Sequence, residues 1–439
     1  MIFGSSTSPR ALLTLLVLSA CARPSEPTTP APVAAVPESG ESEPAAPPES
    51  DAVRRVRALH DAEPQDGASR YVLARYHASR GERAEALAML EEMVAIEAWD
   101  QGLDLADFGV LADDPAVRRI HDTLTARGPK VTPSAVAFEL DALDILPEGV
   151  AWDGRRRELL VGSMHKRQVL AADARGRTRL VVPPARDGLL GVLGIAVDST
   201  RDQLWIVSTA APFMQGYDEA RDAGHSELVG VSLADGAFVG RWPAPASPAQ
   251  INDVTVARDG TVYVTESASG AVLRRPPTLA PGAPLEVLTP AGALLGANGL
   301  ALDADERSLY VCDFFGLHRV ALETGERTRV AAPDGVQTLG GIDGLERQGD
   351  TLLAIQNLFG PGRVWALRLS ADGQAITAAR ILDDAHPRYH GPTTGAVADG
   401  RFLYLADASL QFDGQTIAPA RDGQRHAILS VPLPIRWGE

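Results

Sequence analysis

The feature that most constrains the fold is a strand motif that recurs six times in the C-terminal two thirds of the chain. Each copy opens with a defined residue pair, continues as an alternating apolar stretch, and ends in a turn and a second apolar-rich strand. The openings are separated by 45 to 59 residues. They are Glu148-Gly149, Leu193-Gly194, Asn252-Asp253, Asn298-Gly299, Asp343-Gly344 and Thr394-Gly395.

This spacing predicts an all-β six-bladed β-propeller over residues 135–439, because periods of 40–50 residues with several short strands are typical of four-stranded propeller blades. The last strand candidate, residues 427–431, belongs to the sixth blade. Residues 136–140, ahead of the first copy, are predicted to join that same blade, since ring closure removes exposed strand edges. An open β-sandwich also has regular turns, but its strands would not repeat the same residues at one position.

Residues 51–128 have a different period, with apolar residues every three or four positions, which predicts a small α-helical segment. The stretch from Leu73 to Leu90 resembles one tetratricopeptide-type helical hairpin, and a poorer copy runs from Asp107 to Leu124. One and a half copies cannot form a solenoid groove, since such arrays need about three repeats. We therefore expect these helices to pack on the larger domain or to act as a spacer. Binding of a protein partner is the alternative.

The N-terminal residues predict export and anchoring rather than part of the fold. Residues 1–20 carry one charge, Arg10, and a short apolar run that is typical of a signal peptide. They end in Leu18-Ser19-Ala20-Cys21, which resembles the lipobox of bacterial lipoproteins. That resemblance implies acylation of Cys21 and attachment to the membrane of a bacterial cell envelope. Because alanine rather than aspartate follows Cys21, the outer membrane is favoured, with the protein facing the periplasm or the exterior; ordinary secretion is the alternative.

Composition completes this organisation and excludes several classes of protein. Residues 21–50 are rich in Pro, Ala, Ser and Glu and are expected to form a disordered tether. A net charge of −16 argues against nucleic-acid binding, which needs a basic surface. Two cysteines exclude a disulfide scaffold and a zinc site built on CxxC pairs. No apolar run approaches the ~20 residues of a membrane-spanning helix.

The openings of the repeats also predict a metal site. In a propeller the first strand of every blade lines the central channel, so Glu148, Asn252, Asn298 and Asp343 are expected to converge. Two carboxylates and two carboxamides, with no imidazole or thiolate, suit a hard cation, Ca²⁺ before Mg²⁺. Considered one at a time, these residues also fit ordinary turns and strand starts.

The motifs that contain these four residues resemble those of a known family. Pro147-Glu148-Gly149, Asn252-Asp253, Ala297-Asn298-Gly299-Leu300 and Ile342-Asp343-Gly344 are similar to the metal-ligand motifs of the calcium lactonases and esterases of the senescence marker protein/gluconolactonase group. Paraoxonases and strictosidine-synthase-like proteins are more distant relatives.

The resemblance has implications for chemistry. It implies Ca²⁺, or another divalent metal, at the floor of the channel and hydrolysis of a small lactone or a related ester. It also implies that Asp343 acts as the base or assists the nucleophile. Leu193 stands at the blade in which paraoxonases carry a histidine, so a mechanism based on a histidine dyad loses support.

The walls of the site are expected to come from loops between the second and third strands of the blades. His165 is a candidate general acid or base, although a loop histidine is more often solvated. The candidates for the substrate pocket are Tyr217 and His225 in a long insert, Phe314 and Asn357. The alternative function is a non-catalytic propeller lipoprotein that binds a ligand or a protein around a structural metal.

Overall fold

The computed structural model describes most of the helical segment and the propeller. The described residues are 49–98, 103–128, 131–359, 362–408, 412–413, 416–417 and 425–437. The predicted signal peptide, Cys21 and nearly all of the predicted tether lie outside these residues. Within the described ranges, no helix combines the length and the apolar character needed to cross a bilayer.

Six four-stranded antiparallel sheets form the propeller, as the repeats predicted. The first blade comprises β2 Pro147–Asp153, β3 Glu158–Ser163, β4 Gln168–Ala172 and β5 Thr178–Val182. The second comprises β6 Gly191–Asp198, β7 Gln203–Thr209, β8 Ser226–Ser232 and β9 Phe238–Pro243. The third comprises β10 Ile251–Val256, β11 Val262–Glu266, β12 Ala271–Arg275 and β13 Glu286–Thr289. The fourth blade comprises β14 Leu300–Leu302, β15 Ser308–Asp313, β16 Gly316–Ala321 and β17 Arg327–Val330. The fifth comprises β18 Ile342–Gln348, β19 Thr351–Gln356, β20 Arg363–Leu369 and β21 Ile376–Asp384.

The sixth blade closes the ring with a strand from the start of the propeller. It comprises β22 Gly395–Ala398, β23 Arg401–Leu405, β26 Ala427–Pro432 and, at its outer edge, β1 Ala135–Glu139. Ala135 of β1 pairs with Ser430 of β26. A small hairpin of β24 Phe412–Asp413 and β25 Thr416–Ile417 lies in sequence between β23 and β26. The predicted closure is therefore confirmed, and the inner strand β22 contacts β2 of the first blade.

The inner strands approach one another so closely that glycine is required where they meet. A Cβ on Gly149 would lie 2.2 Å from the carbonyl oxygen of Leu193 in the next blade, and one on Gly299 would lie 2.3 Å from that of Asp343. Both distances are far below van der Waals contact. Where the repeat carries glycine, as at these two openings, neighbouring inner strands can thus pack backbone against backbone around the channel.

Irregular pairing marks the openings of several repeats. The register of β2 with β3 shifts between Pro147 and Val150, and similar shifts occur in β6, β10 and β18. These interruptions fall on the opening residues of the repeats, among them Glu148, Asn252 and Asp343. A bulge bends a strand and changes the direction of its side chains. The side chains at these openings therefore do not follow the regular alternation between the two faces of a sheet.

The apolar core of the propeller lies between neighbouring blades. One cluster, for example, joins Val169 and Ala171 of the first blade to Ile206 and Val229 of the second. The core therefore fixes each blade against the next and leaves the inner strands to line the channel.

The helical segment contains four α-helices and one 3₁₀ turn among the described residues. These are α1 Asp51–Ala62, α2 Gly67–Ser79, α3 Arg83–Ala95, the 3₁₀ turn Leu105–Leu111 and α4 Pro115–Arg127. Side-chain caps set three of the helix starts: Ser50 accepts from the Val53 N–H, and Asp66 and Asp114 cap α2 and α4 in the same way. A further short helix, α5 Glu219–Asp222, lies in the insert of the second blade.

The helical segment packs on the propeller, which agrees with one of the two expectations for it. Phe359, from the loop between β19 and β20, is buried in the same apolar cluster as Tyr71, Leu90 and Phe108 of the helical segment. A second cluster joins Phe315 of the fourth blade to residues of α1 and α2. The resemblance to a tetratricopeptide hairpin stays a prediction.

Candidate metal centre in the propeller channel

The structure brings Asp343, Asn298 and Glu148 together. Asp343 is 8% exposed and lies at the start of β18, while Glu148 and Asn298 are half-buried. Asn298 lies close enough to Asp343 to lower the pKa of its carboxyl, and Glu148 is close enough to Asp343 for the two charges to repel. Three of the four predicted ligands therefore share one region of the channel.

The Asp343 carboxyl is held by neutral amides. The Asn357 Nδ2 donates to Asp343 Oδ2 and to the carbonyl oxygen of Pro392, the second at 2.9 Å. Burial raises the pKa of Asp343 to about 6, and the amides of Asn357 and Asn298 oppose this rise. The result is a fixed carboxylate with a higher proton affinity than an exposed aspartate has.

Glu148 is positioned through its backbone. The hydroxyls of Thr393 and Thr394 donate to the carbonyl oxygen of Glu148 at 3.0 and 2.5 Å, and the Thr394 hydroxyl accepts from the Val150 N–H at 3.1 Å. The pKa of Glu148 is raised well above its ordinary value, mainly by burial and further by the charges of Asp343 and Asp253. Thr394, which opens the sixth repeat, thus acts as a clamp between the last blade and the first.

Hydrogen bonds also fix the side chain of Asn252, which opens the third repeat. Its Nδ2 donates to the hydroxyl of Ser267 at 2.9 Å, and that hydroxyl donates to the carbonyl oxygen of Ala297 at 2.6 Å. Because the nitrogen of the carboxamide is used as a donor, the orientation of the side chain is set and its oxygen is the acceptor end. The adjacent residue, Asp253, interacts with both Glu148 and Asp343.

Sequence reasoning missed two carboxyls in the same region, Asp253 and Glu346. Asp253 accepts from the N–H groups of Val254 at 2.8 Å and Leu300 at 3.3 Å, and burial raises its pKa to about 7. The pKa of Glu346 rises to about 8 through burial and the charge of Asp253. The sequence held a signal for Asp253, because it occupies the position that is glycine in the other five repeats.

The chemistry of this residue set fits a hard divalent cation. The groups that shift the pKa values of Glu148 and Asp343 are neutral amides and other carboxyls, and clustered carboxyls repel when both ionise. Within the described ranges, no three His, Cys, Asp or Glu side chains converge as a metal-binding group. A cation in this channel would therefore need carboxamide oxygens in addition to Glu148 and Asp343, and Ca²⁺ accepts such mixed oxygen shells.

The other candidates in the first two blades lie in mutually supporting loops. The ring Nδ1 of His165 donates to the carbonyl oxygen of Phe213 at 2.7 Å, which ties the loop of the first blade to the insert of the second. Tyr217 is half-buried, and burial and nearby acidic groups raise its pKa. His225 is exposed. Among the described contacts, none joins these three residues to Glu148 or Asp343, so their catalytic or substrate roles stay predictions.

Phe314 and Asn357 have contacts other than those expected of residues that line a substrate pocket. Phe314 packs against the apolar clusters of the helical segment, with ring centroids 4.8 Å from Phe315 and 5.0 Å from Phe359. Asn357 directs its amide to Asp343, as described above. Both residues connect the site to the rest of the fold.

Comparisons with known proteins identify related architectures only. No protein-family model and no curated protein sequence matches the chain. Solved structures with similarity include a gluconolactonase from Xanthomonas campestris, with 21% identity over 70% of this chain and 98% of that one and a TM-score of 0.44. A virginiamycin B lyase from Staphylococcus aureus has 14% identity over 68% of this chain and 88% of that one, with a TM-score of 0.43.

A nidogen/laminin complex also has similarity, with 15% identity over 58% of this chain and 85% of the matched chain and a TM-score of 0.43. At these identities and TM-scores the matches carry no argument about function. The six-bladed propeller is established by its own strand pairing and closure.

Proposed function

We propose that the protein is a Ca²⁺-dependent hydrolase of lactones or related esters that acts at the channel site. The observation that carries this proposal is the approach of Glu148 in the first blade to Asp343 in the fifth, where the Asn357 amide holds the Asp343 carboxylate. The resemblance of the four repeat openings to the motifs of calcium lactonases supports the same function. These channel residues would then serve catalysis and not only the stability of the fold.

Glu148, Asn252, Asn298 and Asp343 would hold the cation through oxygen atoms. The chemistry that a bound Ca²⁺ supplies is polarisation of the substrate carbonyl and stabilisation of negative charge on its oxygen. Two carboxylates balance the charge of a divalent ion, and the carboxamides add dipoles without further charge.

Asp343 is the residue to which we assign the proton transfer. Its carboxylate accepts a proton from water as the water oxygen attacks the carbonyl carbon, and the same proton is returned to the leaving oxygen when the ester C–O bond breaks. The product of a lactone is then the open hydroxy acid. A general base has to be held in one orientation close to the proton that it takes, and Asp343 is buried in the channel. Asn357 keeps the carboxylate in one orientation.

The direct test is hydrolysis of a panel of lactones and esters with added Ca²⁺, in the wild type and in Asp343→Asn. We expect kcat/KM to fall at least about 100-fold in the variant, in the range usual for loss of a general base. Asp334→Asn, which changes an exposed aspartate in a turn, is the matched control and should keep the wild-type rate. Equal rates in Asp343→Asn and the wild type would refute the assignment.

The non-catalytic alternative has one observation in its favour: the helical segment packs against the loops beside Asp343. In that case Ca²⁺ would raise the melting temperature of the wild type, but no lactone or ester in the panel would be hydrolysed above the background rate. Both functions therefore predict that Ca²⁺ stabilises the protein, and only the hydrolase predicts that a lactone or ester is hydrolysed.

A further inference from the structure

We propose that the helical segment is part of the channel site, because it positions Asp343 through the loops of the fourth and fifth blades, with Phe359 as the main positioning residue. The inference rests on the proposed function in taking Asp343 as a metal ligand and base. It gives the helices a role that the repeat pattern of the propeller does not supply.

The helices lie at the same end of the channel as the site. The Asn298 N–H donates to the carbonyl oxygen of Cys312 at 2.9 Å, and Ile342 pairs with Gln356. The loops that follow β15 and β19 therefore leave their sheets beside Asn298 and Asp343. These are the loops that carry the three phenylalanines at the helical interface.

The helices hold these loops in an apolar interface. Phe359 is 2% exposed and Phe315 is 6% exposed. Phe359 lies in the main cluster of the helical segment, and Phe315 packs with Val53, Val56 and Leu73. The ring of Phe314 lies between the other two and contacts both edge-on.

The two loops in turn hold the stretch of chain that leads directly into Asp343. A Cβ on Gly340 would lie 2.6 Å from the carbonyl oxygen of Phe314, and one on Gly341 would lie 2.7 Å from both Leu358 and Phe359. The carbonyl oxygen of Gly341 accepts from the N–H groups of Asn357 and Leu358 at 3.2 and 3.3 Å. Gly340 and Gly341, three and two residues before Asp343, are therefore enclosed between the two aromatic loops.

Polar contacts fix the same segment to the helices from the other side. The Gly67 N–H donates to the carbonyl oxygen of Gln337 at 3.2 Å, and the Gln337 Nε2 donates to the carbonyl oxygen of Glu97 at 2.9 Å. Arg329 pairs with Glu63 at 3.2 Å. Gln337 lies three residues before Gly340, so both ends of the short connection into β18 depend on the helical segment.

One loop thus joins the helical core to the candidate base. Phe359 is anchored among the helices, and Asn357, two residues earlier, donates to Asp343. Removing the anchor should release Asn357 and the segment before Asp343 together. A substitution of equal size elsewhere in the propeller should leave both in place.

The test compares Phe359→Ala with Phe402→Ala in the full chain. Phe402 lies in the sixth blade and is 1% exposed, so both variants remove one fully buried ring and should lose similar stability. Hydrogen exchange of the backbone amides of residues 341–344, measured with a chelator, reports positioning without metal. Calorimetric titration with CaCl₂ reports affinity.

We expect the amides of residues 341–344 to exchange at least about tenfold faster in Phe359→Ala and at the wild-type rate in Phe402→Ala. We also expect the Kd for Ca²⁺ to rise at least about tenfold in Phe359→Ala only, and Phe359→Leu to restore most of the affinity. If Phe359→Ala does not fold, Leu358→Ala removes a milder contact of the same loop and is interpreted in the same way.

Unchanged exchange and unchanged affinity in Phe359→Ala would overturn the inference while leaving the proposed function intact. If the wild type does not bind Ca²⁺, the proposed function fails instead. The exchange rates then decide the positioning role alone: faster exchange in Phe359→Ala supports it, and equal exchange in the two variants rejects it.

Discussion

Replacing Glu346 by glutamine should make the protein more stable at pH 8 and leave its stability almost unchanged near pH 4. Glu346 lies half-buried on β18, and burial together with the charge of Asp253 raises its pKa from 4.5 to about 8. Below pH 4.5 the carboxyl is protonated in both the folded and the unfolded chain. Between pH 4.5 and 8 the unfolded chain loses this proton and the folded chain keeps it, so the free energy of unfolding falls as the pH rises.

The size of the effect follows from the two pKa values. A change of one in pKa corresponds to about 1.4 kcal/mol, so the cost at pH 8 is at most about 4 kcal/mol, and water in the channel reduces it. For a propeller of this size, 1 kcal/mol corresponds to roughly 2 °C in melting temperature. We therefore expect Glu346→Gln to melt roughly 4 to 8 °C above the wild type at pH 8.

The assay is thermal unfolding with a chelator at pH 4.5, 6 and 8, for the wild type, Glu346→Gln and Glu323→Gln. Glu323 is exposed in a turn of the fourth blade and provides the matched loss of one charge. The difference between Glu346→Gln and the wild type should grow steadily from pH 4.5 to 8, while Glu323→Gln should follow the wild type throughout. A difference that stays constant with pH would refute the argument that an ionised carboxyl is disfavoured in this channel.

Two further substitutions test the geometry of the inner strands. Gly299→Ala places a Cβ against the backbone of Asp343, so we expect a loss of about 1–3 kcal/mol and at least tenfold weaker Ca²⁺ binding, measured by melting and calorimetry. Gly154→Ala, whose nearest contact is 3.7 Å away, should change neither, and equal behaviour of the two variants would contradict the close packing. Thr394→Val leaves the Val150 N–H without its hydroxyl partner and removes one of the two hydroxyls that donate to the Glu148 carbonyl oxygen, so it should cost about 1–3 kcal/mol in urea unfolding. The exposed control Thr377→Val should stay within about 0.5 kcal/mol of the wild type, and a Thr394→Val variant as stable as this control would argue against the clamp.

The propeller could be predicted because every blade repeats the same physical requirement. An inner strand packs backbone against backbone with the next blade, which favours glycine after the opening residue, as at Gly149 and Gly299; Asp253 is the one exception among the six repeats. The outer position of β1 could be predicted from closure alone, since an unpaired edge is unfavourable. Local sequence thus determines the blades, and their number determines the ring.

The additional carboxyls could not be predicted by counting alternate positions along a strand. The bulge between Ile342 and Gly344 shifts the pairing of β18, so the side of the strand on which Glu346 lies does not follow from a strict period of two. Asp253 was visible as an exception to the glycine pattern, but its contact with Leu300 crosses between blades. Such contacts depend on how the ring closes.

The contacts of the helical segment were also outside the reach of the sequence. The helical period shows which residues of α2 and α3 are apolar, but it does not identify the blade that covers them. Phe314 was expected to line the substrate pocket and Phe359 was not singled out, and only the fold shows that both pack in the helical clusters. Asn357 was recognised as a candidate, and its contact with Asp343 became clear from the position of that loop.

Titration of the metal-free protein with CaCl₂ by calorimetry is the most direct measurement of the channel site. One ion should bind per chain, and the affinity should fall at least about 100-fold in both Glu148→Gln and Asp343→Asn, while Asp334→Asn binds like the wild type. A folded wild-type protein that takes up no Ca²⁺, or that binds it equally well after either substitution in the ring, would contradict the proposal that these oxygens form a cation site.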